Sequence, residues 1–405
     1  MCRRALAVCV AAVLLALMSG AMADARIMVI SDPHYLASEL YRESGLFLQA
    51  IARGDGKVVH QSGVLLEALL AEVRQRRPDA LVISGDLTFN GEALSHRELA
   101  EACGQLRAEG IPVWVIPGNH DINNPDARRF AGSGFVPAEN VSPEAFGTLW
   151  RDCLQQMETP NSFTYAVEVT DRVWLAMLDV SRYRDVWMAG GLFTEEHRRW
   201  LADLLARARD RGATVIAVTH QSVLPHTDLS PESCGILGGA DLAEMLRDGG
   251  VRLCLTGHIH IQHRVVEEGL TDVATGAFSI WPHRYGWVTV AEDGTVSWEM
   301  DSLSPENLPE GFLEESAAFF DQASAAKLLP PLEALDIAPA EREQMLRTAL
   351  RFNREYFSGT LDAGDPVWQT DPGWALWQRL GDRVSFGAYM NMTFLREQAH
   401  APGDE

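Results

Sequence analysis

Short, continuous apolar runs recur along the chain at Ile27 to Ile30, Ala80 to Ile83, Val113 to Ile116, Val173 to Leu178, Thr214 to Val218 and Val251 to Leu255. Each is rich in β-branched or aliphatic residues and is soon closed by Gly, Asp, Asn or His, which predicts buried strands. Between several of them, at Val64 to Arg76, His96 to Ala108 and Glu195 to Arg209, apolar residues return at spacings of three and four. That is the period of a helix with one apolar face, and helices alternating with strands predict an α/β fold in which helices cover a sheet. Ser142, Pro143 and Glu144 open a further helix running to about Cys153, because the hydroxyl caps free amides and proline suits the first turn. Trp287 to Val290 and Val296 to Met300 flank an Asp293-Gly294 pair and predict a hairpin.

After Ser302 the strand signals stop. Helical patterns take over at Pro305 to Leu329 and Pro339 to Phe357, the second carrying an apolar stripe of Met345, Leu346, Ala349, Leu350 and Phe352. Pro330 and Pro331 are expected to separate the two helices. Gly359 to Met392, rich in Trp, Gly and Pro, shows no assignable period. The expected organisation is a leader over 1–23, a core domain over 24–302 and a C-terminal helical extension over 303–405.

The leader reading rests on Arg3 and Arg4, the apolar run from Ala5 to Met18 and the small-residue triplet Ala21, Met22, Ala23. These predict a signal peptide cleaved after Ala23 and an exported, periplasmic or secreted protein. The run is shorter than the roughly 20 residues of a spanning helix, and no later stretch reads as one, so no membrane span is expected in the mature chain. The charge is strongly acidic: 34 Lys plus Arg face 56 Asp plus Glu, a net of -22 that becomes -24 without Arg3 and Arg4. Such a field disfavours a long nucleic acid as partner. Beyond Cys2 and Cys9 of the leader there remain Cys103, Cys153, Cys234 and Cys254, which an oxidising compartment can pair in three ways. Without a CxxC pair they predict no zinc-cysteine site.

Candidate chemistry stands at the ends of the predicted strands: Asp32-Pro33-His34, Gly85-Asp86, Gly118-Asn119-His120-Asp121, His220 and Gly257-His258-Ile259-His260. In extended backbone, residues two apart point the same way, so Asp32 with His34, and His258 with His260, are each expected to aim at one centre. The glycines before Asp86, Asn119 and His258 leave room for sharp turns and close approach. Imidazoles and carboxylates bunched at a sheet's carboxyl edge suit divalent transition metals.

This ordered series resembles the calcineurin-like metallophosphoesterase family, whose motifs DxH, GD, GNHD, H and GHxH all occur here between about Arg26 and His263. The resemblance implies a four-layer α/β/β/α double sandwich, here with a C-terminal helical appendage. It implies that Asp32, His34, Asp86 and His260 hold one metal, and that Asp86, Asn119, His220 and His258 hold the other, with Asp86 bridging. It further implies that His120 faces the substrate as a catalytic residue, oriented by Asp121, and that a metal-bound hydroxide attacks a phosphate monoester or diester. Manganese, iron and zinc suit the mixed nitrogen and oxygen shell equally. The expected partner is a small phosphate-ester substrate, and the rival reading is a scaffold that keeps the fold without catalysis.

Departures narrow the likeness. Phe89 stands where purple acid phosphatases carry a metal-binding tyrosine, Asp121 stands where serine/threonine phosphatases have glutamate, and Gln221 replaces a histidine found in many relatives. Gly85-Asp86-Leu87-Thr88 with the GNHD series looks most like the cyclic-nucleotide phosphodiesterase branch. Arg53, Lys57 and His60 after the first motif, Arg128, Arg129, and the Trp281 to Tyr285 cluster are weaker candidates for substrate contact. For these, a solvated loop or ordinary packing is the default.

Overall fold

The computed structural model describes residues 23–41, 45–52, 54–132, 134–155, 158–159, 161–184, 187–227, 235–380 and 383–399. Residues 1–22 of the expected 1–23 leader, together with Arg53 and Cys234, lie outside the described residues.

In chain order the strands are β1 (Ala23–Ile30), β2 (Ala80–Ile83), β3 (Val113–Val115), β4 (Arg128–Ala131), β5 (Gly134–Pro137), β6 (Tyr165–Thr170), β7 (Val173–Met177) and β8 (Gly191–Leu192). They continue as β9 (Thr214–Val218), β10 (Ile236–Leu237), β11 (Leu253–Thr256), β12 (His263–Glu267), β13 (Leu270–Ala274), β14 (Arg284–Ala291) and β15 (Val296–Ser302). One sheet runs β15-β14-β1-β2-β3 and the other β12-β13-β11-β9-β7-β6, with β4-β5 and β8-β10 as small satellite pairs.

The continuous apolar runs are explained by burial on both faces. In β1, Ile27 and Val29 pack between the sheets, while Met28 and Ile30 pack outward under the helices Ser62–Arg76 and Ala93–Ala108. In β9, Ile216 and Val218 face the first sheet, and Val215 and Ala217 face the helices Glu195–Arg211 and Gly239–Asp248. Two sheets therefore stack face to face with helices on both outer surfaces, the expected four-layer arrangement. The Thr194 cap closes a capping box with His197 at the start of Glu195–Arg211, and the left-handed Gly212 ends it.

The expected hairpin is β14-β15, turning at Gly294 with φ 84°. Strands β6 and β12 were not legible as apolar runs because they are sheet edges. In β12, Val265 is its one fully buried residue.

Pro330 and Pro331 do not separate two helices; both lie in the last turn of the Phe312–Glu333 helix. Proline's φ is compatible with helix, and the Pro330 carbonyl still accepts from the Ala334 amide at 3.3 Å, so the turn closes despite two missing donors. The break comes later, where Ala338 starts Pro339–Phe357. The unassigned segment contains the helices Pro366–Thr370 and Pro372–Leu380 and the beginning of Ser385–Ala399. These helices share a core of Leu332, Met345, Phe352, Trp368, Trp377 and Phe394, and this core takes in Ile261 from the GHxH segment.

Cys103, Cys153 and Cys254 are buried free thiols. Cys103 and Cys153 are near enough to influence each other's ionisation, and Cys254 lies apart on β11. No helix among the described residues is long and apolar enough to cross a membrane.

Candidate metal centre

Strands β1, β2 and β3 are mutually parallel, as are β7, β9 and β11, so their carboxyl ends gather on one edge of the sandwich. Asp32 and His34 follow β1, Asp86 follows β2, Asn119 and His120 follow β3, His220 follows β9, and His258 and His260 follow β11. The structure brings all of these residues together.

Their convergence does not come from strand alternation. Asp32, His34, Asp86, His258 and His260 have φ of 52°, 43°, 48°, 69° and 61°, so they occupy the left-handed region instead of extended backbone. Each non-glycine residue held there is strained by an amount on the order of 1 kcal/mol or more, and such strain concentrates where geometry serves a site. The turns are held by backbone bonds, from the Asp32 amide to the Gly85 carbonyl at 3.1 Å and from the His34 amide to the Asp86 carbonyl at 3.0 Å. The glycines serve close approach. A Cβ on Gly257 would sit 1.8 Å from Ser31 Oγ, and one on Gly85, at φ 106°, would sit 2.4 Å from His220 Nδ1.

Two groups of candidate ligand atoms form, Asp32, His34, Asp86 and His260 in one and Asp86, His220 and His258 in the other. In the first, His34 Nε2 lies 3.2 Å from His260 Nε2 and 3.7 Å from both Asp32 Oδ1 and Asp86 Oδ2. In the second, His220 Nε2 lies 3.3 Å from Asp86 Oδ1 and 3.1 Å from Asn119 Oδ1. Asp86 therefore turns one carboxylate oxygen to each group. Atoms bound to one ion at roughly 2.1 Å are separated by about 3 to 3.6 Å; the His34–His260, His220–Asp86 and His220–Asn119 spacings fall in that range, and the two 3.7 Å spacings lie just above it.

The donor chemistry fits cations as well. Asp32 Oδ1 and Asp86 Oδ2 are buried with no hydrogen-bond partner. His220 Nδ1 donates to the Ser84 carbonyl at 2.9 Å, and His260 Nδ1 donates to Asp55 Oδ2 at 2.6 Å. Both rings thus present an Nε2 lone pair to the carboxylate oxygens, and lone pairs facing lone pairs call for a cation or an extra proton. Burial alone would lower the His220 pKa, yet the Asp86 carboxylate beside it pushes it up to about 9. Burial likewise opposes the ionisation of Asp86, but His220 and His120 hold it well below the usual carboxylate range.

His120 borders both groups, with Nε2 3.9 Å from Asp86 Oδ2 and its ring edge-on to His34. Asp121 does not orient it. The Asp121 carboxylate accepts from the amides of Gly118, Leu87 and Thr88 at 2.8, 3.0 and 2.9 Å, tying the GNHD loop to the GD loop. Its full burial and the Asp86 charge push its pKa up to about 7, against those amides. His120 Nδ1 instead donates to the Phe89 carbonyl at 2.8 Å, with Asn90 Oδ1 at 3.0 Å. Sequence reasoning missed Asn90 and Asp55, which carry no motif signal because their partners are distant along the chain.

The weaker candidates mostly pack. His60 lies against Phe319, Arg128 pairs with Asp126, and Trp281 lies against Phe320. Buried His283 joins the Phe278 carbonyl to Ser316, Arg284 bonds the Ser358 carbonyl, and Tyr285 bonds Glu72. Lys57 differs, standing 3.3 Å from Asp55 beside the first group.

The family model described as calcineurin-like phosphoesterase matches residues 25–262. The chain belongs to the calcineurin-like phosphoesterase family. Family members are metal-dependent phosphoesterases, and the two Asp/His groups here have ligand atoms spaced so that they could hold a metal ion. A probable cyclic nucleotide phosphodiesterase of Synechococcus sp. (strain WH7803) is 27% identical over 244 residues, covering 59% of this chain and 75% of that protein. A cAMP/cGMP dual specificity phosphodiesterase of Mycobacterium tuberculosis is 29% identical over 204 residues, covering 48% of this chain and 53% of the relative. The structure of a dimetal phosphatase from Danio rerio superposes with a TM-score of 0.50 at 17% identity, covering 70% of this chain and all of that one, and shows the shared fold.

Proposed function

We propose that this calcineurin-like phosphoesterase hydrolyses a small phosphate ester at a dinuclear centre held by Asp32, His34, Asp86 and His260 on one side and Asp86, Asn119, His220 and His258 on the other. The observation that carries this reading is Asp86, which turns Oδ2 to one ligand group and Oδ1 to the other. Two such cations, when bound, would neutralise phosphoryl oxygens and acidify a water for attack at neutral pH.

The chain's own residues do the rest. His120 keeps Nδ1–H on the Phe89 carbonyl in either charge state, so the proton it can deliver to a leaving alkoxide resides on Nε2, the nitrogen facing Asp86. Burial holds the ring's pKa below the ordinary value, and an arriving phosphate anion favours its protonated form. Asp121 keeps the two ligand loops in register through their amides. The names of the relatives make cyclic nucleotides the first diesters to test. Residues 1–23 add the proposal that the protein is exported, which N-terminal sequencing of the mature form checks.

The decisive assay is hydrolysis of nitrophenyl phosphate and of bis-nitrophenyl phosphate by protein loaded with manganese, zinc or iron. His120→Ala is expected to retain bound metal and lose about 10²- to 10⁴-fold in turnover on esters with poor leaving groups. Metal binding with no hydrolysis of either ester by the parent protein would sink the reading.

A further inference from the structure

The segment from Gly54 to Val58 lies outside every family motif, yet it forms a wall of the first ligand group. Asp55 Oδ2 accepts from His260 Nδ1 at 2.6 Å and lies 3.3 Å from Lys57 Nζ, so one carboxylate oxygen holds an imidazole and an ammonium together. The Lys57 side chain is only 14% exposed, a low value for a lysine, which ordinarily carries its charge into water. The wall is pinned on both flanks. The Val58 amide donates to the Ser279 carbonyl at 2.9 Å, and Ser279 Oγ in turn donates to the Asp32 carbonyl at 3.0 Å. On the outer side Gly56, at φ 89°, lets Phe320 of the C-terminal extension pack so close that a Cβ would meet it at 2.7 Å.

We propose that this wall is part of the working centre, with Asp55 a positioning residue that holds His260 as a metal ligand and Lys57 a binding residue for a phosphoryl oxygen of the substrate. The inference rests on the phosphoesterase reading and adds two residues to it. A carboxylate on the far nitrogen of a metal-binding histidine fixes the tautomer, so Nε2 presents its lone pair, and it makes the ring a better donor. Lys57 is anchored by the same carboxylate in a segment fastened to the Asp32 turn. In a protein of net charge -22, a cation anchored at this position offsets the field that an incoming phosphate meets.

The test uses the full chain and two binding measurements that need no turnover. Manganese affinity is read by competition with a chelating dye, and inorganic phosphate binding to the manganese-saturated protein is read by calorimetry. Asp55→Asn is expected to weaken manganese binding by about 10- to 100-fold, with Asp55→Glu recovering part of the loss. Lys57→Gln is expected to bind manganese at least as tightly as the parent, because a nearby positive charge is removed, and to weaken phosphate binding about tenfold. Parent-like manganese affinity in Asp55→Asn, or parent-like phosphate affinity in Lys57→Gln, overturns the assignment. Because neither readout needs hydrolysis, a parent protein that binds manganese and phosphate but cleaves nothing counts against the proposed reaction and leaves this test intact.

Discussion

At the scale of single residues, the centre depends on backbone that its side chains disfavour. Asp32, His34, Asp86, His258 and His260 all sit in the left-handed region, and their strain is offset by loop-to-loop bonds such as those that Asp121 accepts. Glu92 supports the same region from behind. Its Oε2 accepts from the Asn90 amide at 2.9 Å, while its Oε1 is buried without a partner. Burial pushes the Glu92 pKa from 4.5 up to about 7, against its backbone hydrogen bonds. A raised carboxylate pKa means that the folded chain keeps a proton which the unfolded chain releases. Stability therefore falls as pH rises from about 4.5 to about 7 and is flat above, by an amount on the order of 3 kcal/mol. Glu92→Gln should gain roughly that much relative to the parent across this window in denaturant unfolding at fixed metal content. Parallel pH profiles for the two proteins would contradict the assignment. Which residues hold His120 was not legible in the sequence, because Asp121 is its neighbour along the chain while Phe89 and Asn90 are its neighbours in space.

At the scale of elements, the C-terminal helices brace the GHxH loop. Ile259 and Ile261, which alternate with His258 and His260, pack into their core, and the Gln262 amide donates to the Phe357 carbonyl at 3.1 Å. Glu397 of the Ser385–Ala399 helix accepts from His263 Nε2 at 2.8 Å just beyond that loop. Phe352 lies fully buried at the middle of this core. Phe352→Ala should lower stability by about 3–5 kcal/mol and raise amide hydrogen exchange across residues 257–262. Protection there equal to the parent's would show that the extension and the loop are uncoupled. The apolar stripe of Pro339–Phe357 was readable from its period. Its target was not, since the isoleucines it covers are interleaved with His258, His260 and Gln262 and carry no helical or strand pattern of their own.

At the scale of the whole molecule, an acidic chain surrounds a site of carboxylates and imidazoles. The field of -22 charges draws cations toward the centre, and salt screens that attraction over about 10 Å at 0.1 M. Manganese affinity of the metal-free protein should fall as sodium chloride rises from about 0.02 to about 0.2 M, followed by calorimetry; an affinity that is insensitive to salt would show that the ligands alone set it. The two-faced burial of β1, β2 and β9 was already written in their unbroken apolar runs, and the motif order from Asp32 to His260 named the residues that gather at the sheet edge, because residue type and spacing are local properties of the chain. Three features were decided only in the folded molecule: the left-handed turns that aim the ligands, the passage of the Phe312–Glu333 helix through Pro330 and Pro331, and the placing of Asp55 on His260. The first and the last depend on contacts between segments far apart along the chain, whose energy no local pattern of residues contains, and Leu328 and Leu332 on either side of the prolines are buried in the core shared with the later helices.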